Sequence, residues 1–97
     1  DQHTRDALTR LQVDTSGAIR AITGIGAMWA FEPTGASHDG IRALLQECYR
    51  NGLILYYAGV GAGPYRVRMF LPGGVATPAD VDEALGILRF SMAQLSR

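Results

Sequence analysis

The sequence predicts one α+β domain in which a mostly antiparallel sheet carries its helices on one face. Three observations lead there. Apolar residues recur at helical spacing in three segments, they alternate at period two between those segments, and the order reads α-β-β-α-β-β-α. Ninety-seven residues make a single domain, 1–97, near the low end of what folds on one core.

The first helix is marked by Thr4, Ala7, Leu8 and Leu11, which share one face, and Asp14 to Gly17 breaks it. Two extended stretches follow, Ala18 to Thr23 and Ile25 to Glu32, with Gly24 expected between them. In the second, Ile25, Ala27, Trp29 and Phe31 fall on one face; Gly26, Met28, Ala30 and Glu32 fall on the other. Both faces are largely apolar, which predicts a central strand. The second helix has an apolar stripe of Ile41, Leu44, Leu45 and Cys48. Ser37 is its expected N-cap, and Asn51-Gly52 its C-terminal stop.

Leu53 to Ala58 is an apolar run suited to a buried strand, with Tyr56 and Tyr57 pointing to opposite sides. The glycine-rich loop from Gly59 to Pro64 leads into a last strand, Tyr65 to Leu71. The third helix begins at Thr77-Pro78-Ala79-Asp80, which combines a capping residue, a first-turn proline and an acid three positions on. Its expected stripe is Val81, Leu85, Leu88, Met92 and Leu95.

Composition narrows the function. Nine acidic and nine basic residues cancel, which gives no reason to expect nucleic acid or a membrane surface as partner. One cysteine, Cys48, cannot close an internal disulfide, and no apolar run approaches the ~20 residues that span a bilayer. A cytoplasmic location is expected. All nine basic residues are arginine, so an amine nucleophile on a lysine side chain is absent from this chain.

Few residues carry candidate chemistry. Alternation from Tyr65 places Val67, Met69 and Leu71 with it on one face, and Arg66, Arg68 and Phe70 on the other. Two neighbouring arginines repel unless an acid or water intervenes, and a guanidinium matches a carboxylate bidentately. The pair reads either as a solvated outer face or as an anion anchor. The glycines at 24 and 26, and at 59, 61 and 63, lack the strand-loop-helix context of a phosphate cradle and read as turn residues. His3 and His38 have no companion ligand at metal spacing. Cys48 lies on its helix's buried stripe and reads as a core residue. No nucleophile-base-acid set appears, so no catalytic, cofactor-binding or metal residue is assigned.

Four segments in order resemble one family. Ile22-Thr-Gly24-Ile-Gly26-Ala-Met28-Trp-Ala30-Phe-Glu32 is similar to the R-G-x-G-L-M-x-A-I-E strand of class III aminotransferases, the acetylornithine, ornithine and 4-aminobutyrate type, with Thr23 in place of the arginine. Asn51-Gly52-Leu53-Ile54-Leu55 resembles their N/K-G-L-L-L. Arg68-Met-Phe-Leu-Pro72 and Asp80-Val-Asp82-Glu83-Ala84-Leu85 resemble R-L-x-P-P-L and the I-D-E-A-L helix, with Leu71-Pro72-Gly73-Gly74 where a double proline is usual.

The resemblance implies the small C-terminal domain of a fold-type I aminotransferase. The parent would use pyridoxal phosphate to move an amino group from a donor, often an ω-amino acid, to a 2-oxo acid. The cofactor and its lysine would belong to a large domain of the same polypeptide, outside this chain, in a homodimer whose contacts that large domain mostly makes. This domain would close the active site, with Arg68 as the binder of a substrate carboxylate and Arg66 as its rival. The start inside a helical pattern, without methionine, agrees with a piece of a longer protein. Readings from other classes are a stand-alone regulatory module binding an amino acid, and an interaction domain using the arginine face.

Overall fold

In the computed structural model the described residues are 2–25, 27–35, 37–58, 65–70 and 77–96. Their order is α1 (Gln2–Asp14), β1 (Ile19–Ile25), β2 (Met28–Pro33), α2 (His38–Arg50), β3 (Tyr56–Tyr57), β4 (Val67–Phe70) and α3 (Pro78–Leu95). The four strands form one sheet, ordered β1-β2-β4-β3, and every neighbouring pair is antiparallel. The expected α-β-β-α-β-β-α architecture is the observed one.

The helices begin and end where side chains satisfy their backbone. Ser37 accepts from the Gly40 amide and starts α2; Asn51 and Gly52, the latter at φ +99°, stop it. Thr77 and Asp80 form a reciprocal capping box at α3, with Pro78 in the first turn. After α1 the chain turns through Ser16 and Gly17, both at positive φ, and the Gly17 amide donates to the Gln12 carbonyl.

Alternation in β2 and β4 builds the core. Trp29 and Phe31 stand beside Met69 and Val67 across the strands, and all four are buried. Leu8 and Leu11 of α1, Ile41, Leu44 and Cys48 of α2, and Val81, Leu85 and Leu88 of α3 join the same cluster. On the opposite sheet face Met28, Tyr56 and Phe70 are exposed. The helices thus cover one face of the sheet.

Three sequence expectations need correction. Gly24 does not separate two strands: it lies inside β1, paired with Trp29, and the strand runs on to Ile25. The reason is steric. Trp29 packs its ring over the Gly24 backbone, where a Cβ would overlap it. The buried run after α2 is extended sheet only at Tyr56–Tyr57, although Leu53 and Leu55 are still buried. Leu95 is exposed, and the buried α3 position near that end is Ser91, which accepts a hydrogen bond from the Asn51 side chain at 3.0 Å. That polar contact with the end of α2 takes the place of an apolar one. The Leu71-Pro72-Gly73-Gly74 segment, where a double proline is usual in the family it resembles, and the loop from Gly59 to Pro64 lie outside the described residues.

A bulge resets β1. Arg20 pairs with Glu32 and Thr23 with Ala30, so three steps on β1 match two on β2. Ala21 absorbs the extra residue at φ +53°. The reset keeps Ile22 against the core and Arg20 and Thr23 on the outer face.

Gly24→Ala should therefore destabilise the protein by about 1–3 kcal/mol or more, because the ring of Trp29 cannot retreat from a filled core. Urea unfolding is the measurement, and an unchanged midpoint would contradict this packing.

Candidate functional site

The helix-free sheet face collects most of the polar side chains on β1, β2 and β4. Register places Arg20 beside Glu32, and Thr23, Ala30, Arg68 and Tyr56 in the next row. Arg66 stands one step before β4, where its carbonyl accepts from the Ala58 amide. Three arginines thus share a surface with one carboxylate.

Glu32 is taken up at both oxygens. Arg20 donates to Oε1 from Nε at 3.1 Å and from Nη2 at 2.8 Å, while Arg66 Nη1 lies 3.9 Å from Oε2. Arg66 also donates from Nη2 to the Ala21 carbonyl and the Thr23 hydroxyl, each at 2.9 Å. Its side chain is only 23% exposed. Arg68 differs. It is exposed and makes no hydrogen bond or ion pair in the described structure.

A depression of about 320 Å³ opens between these groups. Gly24, Ala30 and Ala58 line it with little or no side chain; Thr23, Met28 and the two arginines complete it. The small residues let a ligand approach the sheet, and the guanidiniums supply positive charge. Chemically the arrangement can hold an anion, and among the described residues that line it none is a nucleophile or a general acid. A larger groove, about 600 Å³, runs beside Leu45, Tyr49 and Leu55. Among the described residues that line it the one charged side chain, Arg50, is already paired with Glu47 at 3.3 Å.

Sequence reasoning singled out both arginines, and the structure brings them together while giving them different states. It missed the acid between Arg20 and Arg66, because only strand register sets Glu32 opposite them. It also missed a ring cluster of His38, Tyr57 and Tyr65. His38 Nδ1 lies 3.0 Å from the Tyr57 hydroxyl, which ties the start of α2 to β3. Desolvation, and secondarily the nearby Tyr65, push the Tyr57 hydroxyl pKa upwards. Alternation put Tyr65 on the face of Val67 and Met69 and turned either Tyr56 or Tyr57 inwards, but nothing local pointed to the histidine. His3 pairs with Asp82 at 2.9 Å, linking α1 to α3, and no metal-ligand cluster occurs among the described residues.

Cys48 is fully buried, as its stripe position predicts. Burial pushes its thiol pKa up, a hydrogen bond with Ser91 opposes that, and the charge of Glu47 adds to it. The raised value means that the folded state holds the proton to higher pH than the unfolded state does. Stability from this group is therefore intact at neutral pH and falls as pH rises beyond the ordinary thiol value of 9.0. In the native protein near neutral pH, Cys48 should resist a thiol reagent, and its labelling, followed by peptide mapping, should track unfolding. Rapid labelling of the native state would contradict the buried position.

No family model and no curated protein matches the chain. Solved structures do. Lysine aminotransferase from M. tuberculosis, in the internal aldimine form, superposes with a TM-score of 0.76 at 22% identity, over 97% of this chain and 20% of that one. A mutant of M. tuberculosis Rv3290c gives 0.73 at 24% identity, again over 97% of this chain and 20% of that one. A transaminase from directed evolution by ancestral reconstruction gives 0.67 at 18%, over 98% of this chain and 22% of that one. The chain spans about a fifth of the length of the structures it matches.

Proposed function

We propose that this chain is the small C-terminal domain of a class III, pyridoxal-phosphate-dependent aminotransferase, and that Arg68 binds a substrate carboxylate there. The fold shared with a lysine aminotransferase and a transaminase over nearly the whole chain supports the first part. One observation carries the second: among the described residues the Arg68 guanidinium has no hydrogen-bond or ion-pair partner, at a depression whose other arginine is engaged.

The residues present do not fit the cofactor. The chain contains no lysine, and the N-termini of α2 and α3 are capped by their own side chains. Covalent attachment of the cofactor and amino-group transfer are accordingly assigned to a large domain outside this chain. What this chain supplies is a scaffold and an anchor. A free guanidinium offers two parallel N–H donors to a carboxylate, which fixes both the position and the plane of the bound acid. Small neighbours leave the rest of the ligand room to lie along the sheet. Covering that face with the large domain would lower the local dielectric and strengthen the contact.

In the full-length protein, Arg68→Gln should raise KM for the 2-oxo acid about tenfold or more, since a hydrogen bond to a charged group contributes ~1.5–3 kcal/mol. Steady-state kinetics would show it, and an unchanged KM would remove Arg68 from the site. The isolated chain mixed with pyridoxal phosphate should show only the absorbance of the free cofactor. A stable protein-bound band would overturn the assignment of cofactor binding to the absent domain.

A further inference from the structure

We infer that Arg66 is a positioning residue, which keeps the Arg68 guanidinium free for a ligand by holding Glu32 away from it. The inference rests on the proposed role of Arg68 and adds how that side chain stays available.

Register makes Glu32 the natural competitor for Arg68. Arg68 stands opposite Ala30, and Glu32 is two residues along β2 on the same face. Such diagonal neighbours lie roughly 7–8 Å apart, within reach of two long side chains. Ala30, between them, has no side chain long enough to obstruct the approach. A free carboxylate at Glu32 would close onto Arg68 in the bidentate geometry that a ligand carboxylate needs.

Two arginines prevent this. Arg20 occupies Oε1 of Glu32, and Arg66 stands against Oε2. Arg66 is itself held at its far end, where Nη2 donates to the Ala21 carbonyl and the Thr23 hydroxyl of the β1 bulge. Its side chain spans from the start of β4 across β2 to β1, so its charge stays beside Glu32. The two arginines therefore have separate tasks: Arg66 neutralises the internal acid and Arg68 meets the external one. The ligand class follows from the remaining lining. Gly24, Ala30, Ala58 and Met28 suit a carboxylate on a short aliphatic stem.

The test uses the full-length protein and calorimetric titration with glutarate, a dicarboxylate that lacks a reactive carbonyl. Arg66→Gln should weaken glutarate binding about tenfold, and adding Glu32→Gln should bring it back to within about threefold of the parent. Glu32→Gln alone should bind as tightly as the parent or more so. A double variant no better than Arg66→Gln would overturn the inference, because a direct anchor or a purely structural arginine is not rescued by removing an acid. If Arg66→Gln does not fold, Arg66→Lys carries the test. Lysine keeps a charge beside Glu32, so near-parent affinity is expected and a tenfold loss would overturn the proposal. Arg68→Gln separates the two levels: loss of binding there with no rescue at Arg66 sinks only the positioning role. No loss at Arg68→Gln removes the anchor, and this inference falls with it.

Discussion

Trp29 beside Met69 and Phe31 beside Val67, across the β2–β4 pair, is the contact on which the rest of the fold depends. Each fully buried side chain of this kind contributes ~1.5–3 kcal/mol relative to an exposed one. The energy is also a register constraint. Because side chains alternate, a one-residue slip would carry Glu32 and the arginines into the core and the aromatics into water. The three helix stripes answer that apolar face, and the polar row is left on the other side.

The edge of this arrangement is set by β1. Gly24 lets the Trp29 ring lie against the backbone, and the bulge at Ala21 restores the alternation that the sequence would otherwise lose. The same bulge presents the Ala21 carbonyl and the Thr23 hydroxyl to Arg66. Core packing and the state of the arginine face are thus coupled through one irregularity. Strain at a left-handed alanine, of order 1–2 kcal/mol, is offset by the hydrogen bonds and burial that the bulge permits.

Much of the fold was legible because its signals are local. Ser37, Asn51-Gly52 and the Thr77-Asp80 box act within one helical turn, and the structure places each helix end where they indicate. The alternation of Trp29 with Ala30 and of Val67 with Arg68 is likewise a property of consecutive residues. The misplaced features involve distant partners. Gly24 read as a break because its neighbour on the next strand was not yet known. Ser91 was overlooked because its partner, Asn51, lies forty residues away in the chain. The His38–Tyr57 contact joins a helix start to a strand for the same reason.

By itself the sequence determined the element order, which residues share a face in β2 and in β4, the location of both arginines on one face and the absence of any lysine. Local spacing and composition suffice for these. Only the tertiary structure decided that Arg66 is committed, while Arg68 has no partner among the described residues. That distinction depends on which strand lies beside which, on a bulge in β1 and on a carboxylate held between two guanidiniums, and pairing between strands is a long-range outcome that no single stretch of chain encodes.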